Sequence, residues 1–373
     1  VENDLKERTG DTPMAVNGTA LPTTSWSDYS TTNYGEGEDD DQQKALRKSM
    51  HVLSMVIYSI AFVLGVTGNG LVIFITGFRM KRTVNTIWFL NLAVADFMFT
   101  FFLPLSVAYI AMDFHWPFGL ALCKINSAMA FFNLYTSVYL LMVISIDRCI
   151  SVMLPVWAQN YRTPRLALLV ALAVWVLALV LCSPNLYFRH TGPSPSNEDI
   201  IHCYYNFNTT PDGATLEESE RITYMNNQAM TISHFVFGFL IPFAVIVCCY
   251  GAILVRLRRG HMTRSSKPFK VIATMIVAFF LCWFPYHVFS FLELHWTQSL
   301  HTAIIIGRPL TASLAFINSC LNPILYVFMG HEFKEKLRRS LFSAFERAFN
   351  EDAASTRTYT KSKSTMEMES LAT

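Results

Sequence analysis

Along this chain the polar residues fall in clumps, and the stretches between them are almost uncharged. Seven such apolar stretches recur: Met50–Phe78, Asn85–Met112, Ile125–Ile146, Leu166–Phe188, Ile222–Val255, Val271–Leu292 and Thr302–Gly330. Each is long enough to cross about 30 Å of hydrocarbon, which takes ~20 residues of helix. Lipid offers no hydrogen bonds to the backbone, so each span has to satisfy its own peptide groups and is predicted to be helical. Soluble helices alternate polar and apolar faces, and these barely do, which argues against a soluble protein with buried helices. Prolines at positions 104, 184, 242, 285, 309 and 323 interrupt the spans, and each is predicted to kink or loosen its helix.

Composition sharpens this picture. Of 373 residues, 52% are hydrophobic and 15% charged, so spans and short loops use most of the chain. The predicted fold is an all-α, seven-helix membrane bundle (48–330), preceded by a disordered tail (1–47) and followed by an amphipathic surface helix (331–349) and a disordered tail (350–373). In 331–349, Phe333, Leu337, Leu341, Phe345 and Phe349 recur every four residues between cations, a pattern suited to the inner leaflet's headgroups. The net charge of +2 says less than its placement. Arg79, Lys81 and Arg82, then Arg162 and Arg165, then Arg256 to Lys270, follow the first, third and fifth spans, and Lys334 to Arg339 follow the seventh. Acids cluster on the alternate side, at Glu36 to Asp41 and Glu198 to Glu220. The positive-inside rule then places the N-terminus outside and the C-terminus in the cytoplasm of a plasma-membrane protein. No signal peptide is apparent in 1–47, so the first span is expected to direct its own insertion.

The outer side so defined carries two glycosylation sequons, at Asn17 and Asn208, and two cysteines, Cys123 and Cys203, which are predicted to pair in an oxidising compartment. Tyr29 and Tyr34 lie among acids in the N-terminal tail, which can attract a basic ligand. The C-terminal tail offers Ser355, Thr356, Thr358, Thr360, Ser362, Ser364 and Thr365 to kinases. Asp96 lies mid-span, where a charge is expensive and needs a partner, a cation or a proton. With Asn69, Asn133, Ser137, Asn318, Ser319 and Asn322 on other spans it can form a small-cation site, or equally a hydrogen-bonded polar core that joins helices. Asp147-Arg148 at the end of the third span can act as a latch. No phosphate loop, no Cys/His metal grouping and no Ser/His/acid constellation points to an enzyme, and nothing points to nucleic acid. A transporter or channel also has many spans and a central carboxylate, but usually shows paired halves, which this chain lacks.

Taken in order, these residues resemble the rhodopsin-like (class A) G-protein-coupled receptors. The resemblance rests on Gly68-Asn69, Asn91 to Asp96, Cys123, Asp147-Arg148-Cys149, Trp175, Pro242 with Tyr250, Cys282-Trp283-Phe284-Pro285 and Asn322-Pro323-Ile324-Leu325-Tyr326, and covers about residues 50–345. Within that family, Arg79 to Asn85, Trp116 to Gly119, Pro155 to Asn160 and Ser265 to Lys270 are similar to the chemoattractant group, the formyl-peptide and chemerin receptors in particular. Asn318 to Gly330 and Leu292 to His295 look especially like chemerin receptors, whereas Cys203 to Asn206 and Tyr286 to Ser290 also look like the chemoattractant prostaglandin receptor.

The resemblance implies several roles. Asp96, Asn133, Ser137, Asn318, Ser319 and Asn322 would hold an allosteric sodium ion, and no other cofactor is expected. Asp147, Arg148, Trp283, Asn322, Pro323 and Tyr326 would carry activation and G-protein coupling. The ligand would meet Tyr109, Tyr187, Arg189, Tyr204, His234, Trp283, Tyr286, Glu293 and Arg308. His234 stands where related receptors often carry Arg or Lys for a carboxylate. A histidine is a weaker cation at neutral pH, so Arg308, balanced by Glu293, is expected to take over. Ala130 disfavours an amine ligand, and the seventh span has no lysine for a retinal. The expected agonist is a chemerin-like or other peptide or protein, with a lipid acid such as a prostaglandin as the alternative. The expected inner partners are an inhibitory-type G protein, arrestin, receptor kinases and membrane lipids.

Overall fold

The computed structural model describes residues 38–195, 197–211, 213–260, 267–295 and 297–329, together with Glu335 and Arg338. Its helices are α1 (Glu38–Phe74), α2 (Val84–Ala111), α3 (Gly119–Met153), the short α4 (Pro155–Tyr161), α5 (Pro164–Phe188), α6 (Leu216–Phe235), α7 (Ile241–Gly260), α8 (Lys267–Leu294) and α9 (His301–Met329). A π turn, Ile75–Arg79, ends α1, and another, Val236–Leu240, joins α6 to α7 in one continuous rod. Among the described residues, seven helical rods are long and apolar enough to cross a membrane, Gln42–Arg79, Val84–Ala111, Gly119–Met153, Pro164–Phe188, Leu216–Arg256, Ile272–Leu294 and His301–Ile324. They reproduce the seven predicted spans.

Local sequence sets the helix starts. Thr83 and Thr86 form a reciprocal capping box at α2, Thr163 before Pro164 caps α5, and Thr215 with Glu218 boxes α6. α1 begins at Glu38, so the last ten residues of the expected N-terminal tail are helical. The run Glu38 to Asp41 reads as a tail, yet acids are favourable in a first helical turn. The proline in the fifth span takes a specific form. Pro242 cannot donate to the turn before it, and the π turn at Val236–Leu240 absorbs the mismatch. That turn sets Gly238 against α3, where a Cβ would lie 3.0 Å from Leu134 Cδ2. Pro104, Pro184, Pro285, Pro309 and Pro323 remain inside continuous helices.

The rods close on α3, the most buried of the seven. α1 packs on α2 and α9, α8 on α9, and α3 on α2, α5 and α7. Gly65 permits a close α1–α2 approach, since a Cβ there would stand 2.4 Å from Thr100 Cγ2. Trp175 Nε1 donates to Asn91 Oδ1 at 2.8 Å and ties α5 to α2.

One element departs from the all-α expectation. Strands β1 (Arg189–Pro193) and β2 (Ile201–Tyr205) form an antiparallel hairpin with Thr191 opposite Cys203. A disulfide joins Cys203 to Cys123 of α3, as predicted. The end of α2 and the loop after it hold the free edge of β2. Trp116 N–H donates to Ile201 C=O at 2.7 Å, Ile201 N–H to His115 Nδ1 at 3.2 Å, and Cys203 N–H to the Tyr109 hydroxyl at 3.3 Å. Asp113 and Phe114 adopt φ of 50° and 63°, a region non-glycine residues enter rarely, and so turn the buried Trp116 under the hairpin.

Asn17, the 331–349 surface helix apart from Glu335 and Arg338, the phosphorylation sites from Ser355 to Thr365 and the side chain of Tyr326 lie outside the described residues, as do residues 261–266 of the basic segment.

Candidate functional site

Beneath the hairpin the bundle encloses a cavity of about 130 Å³. Its floor is Ala130, Phe131, Trp283, Tyr286 and Phe316, and Cys203, Arg189 and Tyr205 of the hairpin overhang it. Tyr109 lines one wall, and Glu293 and Arg308 another. Four residues of α1, Arg47, His51, Ser54 and Tyr58, complete it. Tyr187, Tyr204 and His234, expected to line a ligand site, do not border this cavity. Tyr187 is 66% exposed on the outside of α5, and Tyr204 pairs with His190 in the hairpin.

His234 is buried behind Phe131, whose ring stacks on it at 3.9 Å. Its Nε2 is 3.3 Å from Asn185 Nδ2, and Asn185 Oδ1 accepts from the Tyr205 hydroxyl at 2.7 Å. Since the amide nitrogen donates, His234 Nε2 is the acceptor and carries no proton in this arrangement. The ring is thus an uncharged structural partner that holds the hairpin to α5 and α6. Burial pushes the Tyr205 phenol up to about 12, against the lowering effect of Arg189.

Three arginines, Arg47, Arg189 and Arg308, line the cavity, and the surroundings of the last two differ. Arg308 lies 3.1 Å from Glu293 Oε2, donates to Ser290 Oγ at 3.1 Å and has its guanidinium 5.2 Å from the Tyr286 ring centre. Its charge is already balanced. Arg189 is 5% exposed. Its guanidinium sits 4.1 Å from the centre of the Tyr205 ring, and Nε donates to Ser127 Oγ at 2.6 Å. Nη1 is buried without a hydrogen-bond partner, and no carboxylate forms an ion pair with Arg189 among the described residues. A buried cation with an unfilled donor, on a side chain that lines a cavity, is disposed to take an anion.

Midway along the bundle, Asp96 is fully buried. Asn322 Nδ2 donates to its Oδ2 at 2.7 Å. The Asn133 amide satisfies its surroundings when its nitrogen faces Asp96 Oδ1 at 3.2 Å and its oxygen accepts from Ser319 Oγ at 2.8 Å. Ser137 and Ser319 complete the group, and Asn69 Nδ2 joins it to the Ser319 carbonyl at 2.9 Å. Asn318 is buried on the same helix. Five of the six residues expected around a cation therefore form one hydrogen-bonded cluster.

At the far end of α3, Asp147 faces Arg162 and Arg148. Arg162 Nε donates to Asp147 Oδ1 at 2.7 Å and Nη2 to Oδ2 at 3.0 Å. Arg148 Nε lies 3.8 Å from Asp147 Oδ2, and Arg148 Nη2 donates to Asn85 Oδ1. In the sequence Arg162 marks only the basic side, and Asn85 and Asn185 carry no functional signal. The α1 residues carried a signal, since 47, 51, 54 and 58 share one helical face.

A cavity under a disulfide-tied hairpin, a polar cluster midway along the bundle and an Asp-Arg end thus follow one another along one helical bundle. The sequence profile described as "7 transmembrane receptor (rhodopsin family)" matches residues 68–326, and the chain belongs to that family. Chemerin-like receptor 1 of Rattus norvegicus is 48% identical over 333 residues, covering 87% of this chain and 89% of that one. N-formyl peptide receptor 3 of Pongo pygmaeus is 44% identical over 337 residues, covering 88% and 95%. The C3a anaphylatoxin chemotactic receptor of Danio rerio is 47% identical over 303 residues, covering 81% and 79%. The chain is a seven-span receptor of the chemoattractant type.

Proposed function

We propose that this receptor binds the carboxylate end of an extracellular peptide or protein, of the kind the chemerin-like relatives are named for, and activates an inhibitory-type G protein. The observation that carries this reading is Arg189, which lines the cavity, has one buried donor unfilled and forms no ion pair with a carboxylate among the described residues. The carboxylate takes Arg189 Nη1, and the preceding residues lie over Trp283 and Tyr286 toward α1. Arg308 stays paired with Glu293 as a wall of the site, and His234 acts through Asn185 and Tyr205 rather than by touching ligand. Tyr187 and Tyr204 are left for the part of a protein ligand that remains outside the cavity.

In this reading the hairpin end and the N-terminus face outward, and Arg148, the basic segment after the fifth span and the C-terminus face the cytoplasm. Ligand binds better to the state in which α8 swings away from α3, and so shifts the population toward it. That opening presents Arg148 to the G protein, which raises ligand affinity in return. Trp283, Pro323 and Tyr326 rearrange with α8 and α9. Receptor kinases then modify the tail from Ser355 to Thr365, and arrestin binds it. Glycans on Asn17 and Asn208 belong to the outer face.

The residues around Asp96 fit sodium. Oxygens of Asp96, Ser137, Ser319 and a turned Asn133 are the ligand type that hard cations prefer. They would hold the ion and balance a charge that is costly at mid-membrane.

The test is a nucleotide-exchange and calcium screen with chemerin-type C-terminal peptides as acids and as amides, with formyl peptides and with prostanoids. A response to the peptide acid that the amide lacks supports the proposal. A response confined to prostanoids overturns the ligand assignment.

A further inference from the structure

Two guanidiniums compete for one carboxylate at the end of α3, and the sequence neighbour loses. Arg162 grips Asp147 at both oxygens, at 2.7 and 3.0 Å, in the forked geometry that makes arginine–carboxylate pairs strong. Arg148 is held at 3.8 Å, and its Nε has no hydrogen-bond partner. Asn85 Oδ1 accepts from both arginines, from Arg162 Nη2 at 2.7 Å and from Arg148 Nη2. Local structure explains why Arg162 arrives there. Pro155 starts α4, Ala158 is buried, and Arg162 N–H caps the helix on the Ala158 carbonyl at 3.1 Å, just before Thr163 and Pro164 start α5.

We propose that Arg162 is a positioning residue for Arg148. By occupying Asp147 it stops Arg148 from collapsing onto the adjacent carboxylate, and so sets how readily Arg148 turns toward a G protein without ligand. The like charge of Arg162 adds to the effect by opposing the approach of Arg148 to Asp147. Asn85 acts as the second arm of the clamp. It gives Arg148 a neutral oxygen to rest on, which binds a guanidinium less firmly than a carboxylate does. This inference rests on the G-protein end proposed above and goes beyond it, since that reading assigns a role to Arg148 alone.

The experiment is ligand-free nucleotide exchange by the full-length receptor in lipid nanodiscs, with purified heterotrimers of each G-protein class. With Arg162→Gln, Arg148 gains sole access to Asp147, and basal exchange is expected to fall about fivefold, the low end of coupling between sites. Arg162→Lys keeps the charge and loses the fork, so an intermediate rate is expected. With Asp147→Asn the acid both arginines seek is gone. Adding Arg162→Gln to that background is then expected to change nothing further. Hydrogen exchange of residues 148–155, measured without G protein, is expected to slow in Arg162→Gln. A basal rate that is unchanged or raised in Arg162→Gln, or additive effects in the double variant, overturns the inference. If no heterotrimer responds to any variant, the G-protein reading fails, and hydrogen exchange alone decides the role of Arg162. If Arg162→Gln unfolds, the direction of the Arg162→Lys change decides it.

Discussion

Arg189→Gln removes the charge and leaves a side chain able to hydrogen-bond Ser127. In the native structure the guanidinium is 5% exposed, stacked 4.1 Å from the Tyr205 ring centre, and has one donor unfilled. A ligand carboxylate at Nη1 would form a charge-assisted bond away from water. Losing one partner of such a buried pair costs about 2–5 kcal/mol. At about 1.4 kcal/mol per tenfold, the lower half of that range is a ~30- to ~300-fold loss of potency. An amide-ended peptide never makes the bond, so its potency is expected to move by less than about threefold. Arg189→Lys retains the charge without the fork, and falls between. The assay is a concentration–response series in cells with matched surface expression, using one peptide as acid and as amide against each variant. Arg308→Gln serves as the contrast. It strands Glu293 in the wall of the cavity, so acid and amide are expected to weaken together. If Arg189→Gln still prefers the acid, or if Arg308→Gln alone removes the preference, the assignment of the carboxylate to Arg189 is refuted.

Four further outcomes follow from named contacts. Asp96→Asn is expected to abolish the effect of sodium on agonist affinity, measured by radioligand displacement across sodium concentrations at constant ionic strength; a retained effect contradicts the cation reading. Gly65→Ala drives a methyl into Thr100 and is expected to lower thermal stability of the solubilised receptor by about 1–3 kcal/mol; an unshifted unfolding curve would refute the close α1–α2 approach. Cys203→Ala frees the hairpin from α3 across a separation of 80 residues, worth about 4 kcal/mol in the chain-entropy picture, and is expected to reduce both agonist binding and surface expression. Burial raises Tyr205 to about 12, so protonation favours the folded hairpin, and its contribution is intact below the ordinary tyrosine value near ~10 and lost as pH rises toward about 12. Thermal scans over that alkaline window are expected to fall less steeply for Tyr205→Phe, and parallel curves would contradict the buried hydroxyl.

The spans were legible in the sequence because hydrocarbon imposes a demand that 20-residue windows cannot disguise. The Cys123–Cys203 pair was legible because only those two cysteines lay toward the acidic side. The hairpin was not, since Arg189 to Pro193 shows no alternating pattern and is held by the disulfide and by the loop at Trp116. The start of α1 was misplaced because acids that suit a helix N-terminus also suit a solvated tail. Candidate ligand residues divided by direction rather than by position. His234 is in the expected span, but Phe131 stands between it and the cavity, and a one-dimensional reading cannot see which side of a helix a ring takes. The α1 face went unnoticed although its spacing was present. Arg162 was counted as charge, and only its approach to Asp147 gives it a partner.

Filling the cavity under the hairpin is expected to drive nucleotide exchange at Arg148. The direct measurement is nucleotide exchange on a purified inhibitory-type heterotrimer by the receptor in nanodiscs, with and without a chemerin-type peptide acid. The expected result is a peptide-dependent rise that Arg148→Ala removes while peptide still binds. A rate indifferent to the peptide acid, or a full response in Arg148→Ala, would contradict the account.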